Sequence, residues 1–438
     1  MVIDFVEALS GLERIRIHSD APILVTAFDH QDQVFSSAFD VLRAAIREYI
    51  FPAAAVAVTE AGKLVALKAF GTFVYEEEAK GAPPLSRILR QGGDIAFLNS
   101  EITPFTLFDL ASLTKPIATT TTAMILYERG LLELDAPIIG TVPEFLLYST
   151  GNSDPRRHDV TFRMLLAHSS GLPAYEKLFL KARSRDELLA TAFTMPLTAD
   201  PGTSAEYSDI GFIILGVALE RLALERLYRF CQREIFDPLA MTNTTFNPPA
   251  DLRMKIPPTA DEREDRCGEG APARQLPEAP EKSSAGQTNP HNTFRNRIIQ
   301  GEVQDENAYV LGGVAGHAGL FATAEDVARF AHVMLNGGAP ILRPETVSLF
   351  TRHDTTPGTS RALGWDTPSK PSQSGKYFGP RSYGHLGYTG TSLWIDPDRQ
   401  LSVTLLTNRT WPDCSHQGIK KIRPSFHNAI IESIDKLG

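Results

Sequence analysis

A serine and a lysine three residues apart stand in the stretch Phe108-Asp109-Leu110-Ala111-Ser112-Leu113-Thr114-Lys115. Helix-favouring residues follow, through Met124, Ile125 and Leu126 to Gly130. Residues three apart on a helix share a face. A helix starting near Ser112 therefore points its hydroxyl and the Lys115 ammonium the same way. That pair suits nucleophilic catalysis, because a serine hydroxyl needs a neighbouring base, and a helix N-terminus favours a developing alkoxide. The bland alternative is a helix-start serine followed by a surface lysine. A second candidate lies in Ala205-Glu206-Tyr207-Ser208-Asp209, a turn just before an apolar helix. A phenol titrates near pH 10 and needs a cation beside it to serve as a base at neutral pH, and Lys115 is the candidate cation for Tyr207. A third is Tyr383-Gly384-His385-Leu386-Gly387-Tyr388-Thr389-Gly390 ahead of a strand, whose glycines permit close approach of a ligand to backbone. Tyr207 and His385 can also be read as ordinary cleft and loop residues. His168, in Leu165–Leu172, reads as structural, bonding backbone at a helix end.

The elements that must hold these residues follow from local patterns. Pro22–Thr26 is a candidate strand, and Phe35 to Tyr49 has helical spacing. Ala54–Thr59 and Leu64–Phe70 flank Glu60-Ala61-Gly62-Lys63, a hairpin in which Gly62 supplies the positive φ. Residues 76–103 read as a loop. From Leu131 to Pro249 the pattern is mostly helical and broken by prolines, with a capping box at Ser184 and Glu187. Residues 260–296 hold almost no large apolar side chain and predict a long, exposed, mobile loop. Gly312-Gly313-x-x-Gly316 reads as a tight loop lining the cleft. A helix starts at Thr323 with Asp326 in the capping position and stops at Gly337-Gly338. Thr391–Ile395 and Leu401–Thr407 predict strands, and a last helix spans about 424–437. Strands, a long helical insert, then strands and a helix predict an α+β fold in which a discontinuous domain carries an inserted all-α domain. The expected division is 1–36 as an N-terminal extension, 37–118 with 305–438 as the α/β domain, and 119–304 as the mainly helical domain. A cleft between the two domains would hold the site.

The chain has 438 residues, 42% hydrophobic and 22% charged, with a net charge of −9. These values fit a globular protein with a large core. They disfavour nucleic acid as a partner. Cys231, Cys267 and Cys414 are odd in number and widely spaced, so reduced thiols are expected. No signal peptide or membrane-spanning stretch is evident, which makes the cytoplasm the expected location. His158, His168, His317, His332 and His353 lack metal-ligand spacing, and neither a metal nor a cofactor is expected. No Gly-x-Ser-x-Gly elbow is present.

Ser112-x-x-Lys115, Tyr207-Ser208-Asp209 and His385-Leu386-Gly387 occur in that order, and together they resemble the three motifs of serine β-lactamases and penicillin-binding-protein-like enzymes. The similarity is to the class C-like branch, with its esterases and D-alanyl-D-alanine carboxypeptidase-like members. Leu165–Leu172, Pro238–Met241, Gly312–Thr323 and Gly390–Trp394 resemble that family too, so the likeness runs from about residue 37 to the end. It implies a β-lactamase/transpeptidase-like fold, an antiparallel sheet flanked by helices. It implies Ser112 as the acylated nucleophile and Lys115 with Tyr207 as the acid/base pair. The N–H groups of Ser112 and Tyr388 would form an oxyanion hole, with Asp209, His385, Gly387 and Tyr388 lining the substrate site. His385 stands where the family more usually has lysine, and Asp209 where it has asparagine. Both changes disfavour anionic substrates, since histidine is mostly neutral at pH 7. The expected activity is therefore a carboxylesterase on small acyl esters. The alternatives are a D-alanyl-D-alanine carboxypeptidase or penicillin-binding protein, a weak β-lactamase, and a catalytically silent binding protein on the same fold. The expected partner is a small ester or amide substrate, and the oligomeric state is left open.

Overall fold

The computed structural model describes residues 22–75, 100–147, 154–262, 294–412, 414 and 416–437. In chain order its strands are β1 (Val25–Thr26), β2 (Ala53–Glu60), β3 (Lys63–Gly71), β4 (Phe108–Asp109), β5 (Thr245–Phe246), β6 (Ala260–Asp261), β7 (Ile298–Ile299), β8 (Leu320–Ala322), β9 (Tyr383–Leu386), β10 (Ser392–Asp396) and β11 (Leu401–Thr407). The principal helices are α1 (Ser36–Arg47), α2 (Thr121–Glu128), α3 (Phe162–Leu166), α4 (Arg185–Phe193), α5 (Asp209–Ala223), α6 (Glu306–Val310), α7 (Ala324–Leu335) and α8 (Ile419–Asp435).

Six strands form the central sheet in the order β1-β3-β2-β11-β10-β9. Every pair is antiparallel except β1 with β3, which run parallel at one edge. The end of the expected N-terminal extension thus adds a strand to the sheet. Side chains alternate across a strand, and β2 shows what that does here. Ala53, Ala55 and Ala57 face one core, whereas Ala54, Val56 and Val58 face the other with Phe39, Leu42, Phe426 and Ile430. The first face is covered by α7, whose own Ala328 and Ala331 keep it close to the small side chains of β2. The second face is covered by α1 and α8, which also pack on each other. The fold is α+β, a mostly antiparallel sheet between helical layers. β9 lies at the free edge, so its residues open onto whatever packs beyond the sheet.

Several expected elements shift by a few residues. The last helix starts at Ile419, ahead of Pro424. Pro424 lacks the N–H that would bond the Lys420 carbonyl, and Gln373 Nε2 donates to that carbonyl at 3.1 Å instead. The α7 cap forms as read, with the Thr323 hydroxyl accepting from the Asp326 N–H. Within 119–304, three short strands stand among the helices, and β5 pairs with β8. Of the expected loop 260–296, residues 263–293 lie outside the described residues, as do 76–99 of the loop at 76–103. The described ends of the 260–296 stretch are ordered: β6 pairs with β7, and the Arg295 guanidinium, 3% exposed, binds Glu262. The expectation of three reduced thiols is corrected at Cys414, which is disulfide-bonded; its partner lies outside the described residues. Separation in sequence sets no limit on proximity in a folded sheet protein. Cys231 is a free, buried thiol. Among the described residues no helix is long and apolar enough to cross a membrane.

Candidate active site

The nucleophile turn is built on strain held by a carboxylate. Ala111 has φ +46°, a left-handed value that a residue with a Cβ adopts at a cost. Asp109 holds it there: Oδ1 accepts the Ala111 N–H at 2.8 Å, and Oδ2 accepts the Gln304 N–H at 2.7 Å. Burial pushes the Asp109 carboxyl up to about 6 against those two bonds. Ser112 then sits in a 3₁₀ turn (Ala111–Leu113), followed by a π-helical stretch (Lys115–Thr120) and α2. The expected single regular helix is therefore broken at its start, and such π segments gather at functional sites. The serine and lysine still share a side, with Lys115 Nζ donating to Ser112 Oγ at 3.0 Å.

Lys115 is fully buried, and its three ammonium hydrogens are all placed. Beyond Ser112, they go to Asp209 Oδ1 at 2.7 Å and to the His317 carbonyl at 3.1 Å. Burial works to lower the lysine pKa, but Asp209 and Tyr207 outweigh it and hold Lys115 above its ordinary value. Lys115 is a cation at neutral pH. Tyr207 donates its hydroxyl to Ser112 Oγ at 2.8 Å. Burial raises its pKa, Lys115 opposes that, and Asp209 reinforces it, so the phenol is protonated at rest. Lys115 is thus the cation beside Tyr207 that the sequence suggested, and burial with Asp209 opposes its lowering of the phenol.

His168 and Ser208 fix the turn that carries Tyr207. Ser208 caps α5 by accepting the Gly211 N–H at 3.0 Å, which leaves Asp209 in the first turn of that helix. The Ser208 N–H donates to His168 Nδ1 at 2.9 Å. His168 stacks between Tyr207 and Phe212, with ring centroids at 4.7 and 4.8 Å. Burial first, then Arg361 and Lys115, keeps it neutral.

The opposite wall is the edge strand β9 and the loop after it. His385 is 3% exposed, and its Nδ1–H donates to the Leu386 carbonyl at 2.8 Å. Its Nε2 is buried with no partner among the described residues. Burial, then Lys115, Arg361 and Arg423, holds the imidazole well below its ordinary pKa. The following loop is stitched to the nucleophile turn. Thr389 Oγ1 donates to the Asp109 carbonyl at 2.8 Å, and Thr391 Oγ1 to the Leu110 carbonyl at 3.0 Å. Gly387 must be glycine, since a Cβ there would lie 2.5 Å from the Leu110 carbonyl oxygen. This packing holds the 387–391 loop, Tyr388 included, against the turn that carries Ser112. Two buried arginines hold the loop from behind. Arg423 donates to the carbonyls of Gly387, Thr391 and Gly390 at 2.6, 2.9 and 3.2 Å, and Arg409 Nε to that of Tyr388 at 2.8 Å. Burial, then Arg409, lowers Arg423 to about 9.

Residues from three separate stretches thus meet at one serine hydroxyl, with a cation, a phenol and a peptide loop around it. A family model described as Beta-lactamase matches residues 38–420. The chain belongs to this family. It is a serine hydrolase of the β-lactamase fold. It is 31% identical over 377 residues to "N-acetylmuramyl-L-alanine amidase" of Bacillus subtilis (strain 168), covering 82% of this chain and 77% of that one. Among solved structures it is similar to "EstCE1, a hydrolase with promiscuous acyltransferase activity", with TM-score 0.64, 22% identity and coverage of 91% and 99%. It is also similar to a "Beta-Lactamase/D-Alanine Carboxypeptidase" from Pseudomonas syringae, with TM-score 0.62, 16% identity and the same coverage. At those identities the two structures speak for the fold alone.

The structure adds site residues that motif reading did not single out. Asp109 lies inside the first motif, and its place two residues before a strained turn is the one local signal for it. His317 supplies the carbonyl for Lys115, and its buried ring pairs Nε2 with Asp305 Oδ1 at 2.9 Å. The His317 loop reaches the site because Gly316 and Gly216 of α5 meet backbone to backbone; a Cβ on Gly316 would lie 2.1 Å from the Phe212 carbonyl oxygen. Arg361, Arg409 and Arg423 have no sequence signal, being brought in only by the fold. Among the described residues no cluster of metal-ligating side chains occurs.

Proposed function

We propose that this protein is an amide hydrolase that works through an acyl-enzyme on Ser112 and releases an amine. The proposed substrates are small amides of the N-acetylmuramyl-L-alanine kind, after the name of the Bacillus relative. The observation that carries this reading is Tyr207, a buried and protonated phenol whose hydroxyl lies 2.8 Å from the nucleophile oxygen. An ester can expel its alkoxide with little help, whereas an amide nitrogen needs a proton as it leaves. The reactive form lacks one proton from the Lys115–Tyr207 pair. Ser112 Oγ attacks the carbonyl carbon, and its proton passes to that pair. The tetrahedral oxyanion is met by the N–H groups of Ser112 and Tyr388. Tyr207 then gives a proton to the leaving nitrogen as the C–N bond breaks, and water reverses the sequence to free the acid and restore Ser112. Asp209 keeps Lys115 cationic throughout, so the lysine orients and stabilises while the phenol moves the proton.

The carboxylesterase reading stands second. It is favoured by His385, which offers the substrate a lone pair and no charge. A panel of matched acyl esters and acyl amides, followed by intact mass for the adduct on Ser112, separates the two. The amidase reading requires kcat/KM for the amide within the range of the ester, and activity on esters alone overturns it. A silent binding protein would show no adduct with a fluorophosphonate. As to location, the Cys414 disulfide supports an oxidising compartment over the cytoplasm. Alkylation of the unfolded protein without reductant should then label one thiol, and labelling of three would restore the cytoplasmic expectation.

A further inference from the structure

Among the described residues four cationic side chains stand around the reacting centre, and three of them donate hydrogen bonds to the protein. Lys115 donates to Ser112, Asp209 and the His317 carbonyl. Arg409 and Arg423 donate to carbonyls of the 387–391 loop and of Cys414. The fourth is Arg361. Its guanidinium carbon lies 4.9 Å from the centroid of the Tyr207 ring. It donates no side-chain hydrogen bond and forms no ion pair within 4.0 Å with any described residue, though its charge pulls the buried Asp366 carboxyl down against desolvation. A guanidinium has five N–H donors in a planar fork that matches a carboxylate. Stacked on a catalytic phenol and partly exposed, with no acceptor for its N–H fork among the described residues, Arg361 can take a ligand without breaking a hydrogen bond.

The fold places Arg361 deliberately close to the third motif. The backbone of Arg361 bridges to Asp366, and Asp366 bridges to Gly384 of β9, one residue before His385. The Arg361 carbonyl accepts the Asp354 N–H at 2.8 Å, which anchors the other side of the hairpin. Arg361 is therefore an extension of the sheet edge, set against the wall where the family's usual lysine would stand. His385 cannot replace that lysine. Its Nδ1–H is given to the Leu386 carbonyl, so the buried, unpartnered Nε2 carries a lone pair that repels a carboxylate.

We propose that Arg361 is the specificity-determining residue of this site and binds a carboxylate on the leaving group, such as the α-carboxylate of a released amino acid. The charge that His385 lacks is supplied from the neighbouring hairpin. This deepens the acyl-enzyme reading and rests on it.

The test uses two acetyl esters that differ only in the leaving group, 3-hydroxybenzoate and 3-hydroxybenzamide. The parent enzyme should favour the carboxylate. Arg361→Gln should cut the ratio of the two kcat/KM values at least tenfold, and Arg361→Lys should keep part of the preference, because a lysine retains charge without the fork. Binding to the Ser112→Ala protein gives a second readout that needs no turnover: N-acetylalanine should bind more tightly than N-acetylalaninamide, and Arg361→Gln in that background should erase the difference. An unchanged ratio in Arg361→Gln, with Ser112 still labelled by a fluorophosphonate, overturns the proposal. So does an equal loss on both esters with the pH profile moved to higher pH, since Arg361 would then act on the Tyr207 phenol that it shares with Lys115, Asp209, His168 and His385. Failure of the fluorophosphonate to label the parent removes the acyl-enzyme reading and the subsite with it.

Discussion

The two walls of the cleft differ in how their polar groups are engaged. On the nucleophile side, Asp109, Ser112, Lys115, Tyr207 and Asp209 bond to one another or to backbone, and Lys115 has no hydrogen left to offer. On the side of β9, His385 has a bare buried nitrogen, and Arg361 lies over the Tyr207 ring with no hydrogen-bond acceptor among the described residues. The difference separates two tasks. Groups that must hold a reactive geometry are locked by their neighbours before substrate arrives, because preorganised dipoles need no rearrangement during reaction. Groups that must recognise a substrate are left unsatisfied, and substrate completes them.

The largest effect that tests the locked wall is loss of its centre. Ser112→Ala should lower kcat about a millionfold and abolish the acyl adduct seen by intact mass, while the melting temperature stays close to the parent's. Burst kinetics in that variant would place the nucleophile elsewhere. Next come Lys115→Ala and Tyr207→Phe. Each should cost about 10²–10⁴-fold in kcat, and the double variant should be scarcely worse than the poorer single one, because the pair moves one proton. Penalties that multiply would mean that the two groups act independently and that the wall is less of a unit than its bonds suggest.

The locked wall is also where the sequence is most readable. Ser112 and Lys115 are neighbours by helical spacing alone, and Tyr207-Ser208-Asp209 stands in a turn just before an apolar helix, α5. The hairpin at Gly62 and the Thr323 cap were legible for the same reason, since each is decided by a few adjacent residues. Arg361, Arg423 and the His317–Asp305 pair were not, because nothing local distinguishes a surface arginine from one that a sheet edge carries over a tyrosine. The protonation of Tyr207 is likewise not legible in the sequence. The sequence shows that a lysine is near, but only the fold shows that burial and Asp209 outweigh it.

Asp209 provides a subtler probe of the same wall. Its charge raises the pKa of both Lys115 and Tyr207. Both groups are held protonated, and the reactive form lacks one of those protons, so activity should rise with pH. Asp209→Asn removes the raising influence from both, and the ascending limb of kcat/KM should move to lower pH. The buried ammonium then loses its counter-charge, and the protein should be destabilised, by up to about 3–5 kcal/mol if the asparagine oxygen fails to replace the bond. A limb that stays in place, or moves to higher pH, would show that neither proton controls the reaction.

The smallest effect expected belongs to His385, and its smallness is what sharpens the contrast between the walls. An exposed histidine would change charge near pH 6.5, and a carboxylate-bearing substrate would then gain over a neutral one as pH falls. Here burial, with Lys115, Arg361 and Arg423, keeps the imidazole neutral well below that value. The kcat/KM ratio of the carboxylate-bearing to the neutral ester should therefore be flat from about pH 8 to 6. His385→Gln should alter the ratio by no more than about threefold, under 1 kcal/mol of discrimination. Arg361 is then the group that sets the preference across that range. A step in the ratio centred near 6.5, lost in His385→Gln, would return the recognition of charge to the third motif and leave Arg361 as a brace for the Tyr207 ring.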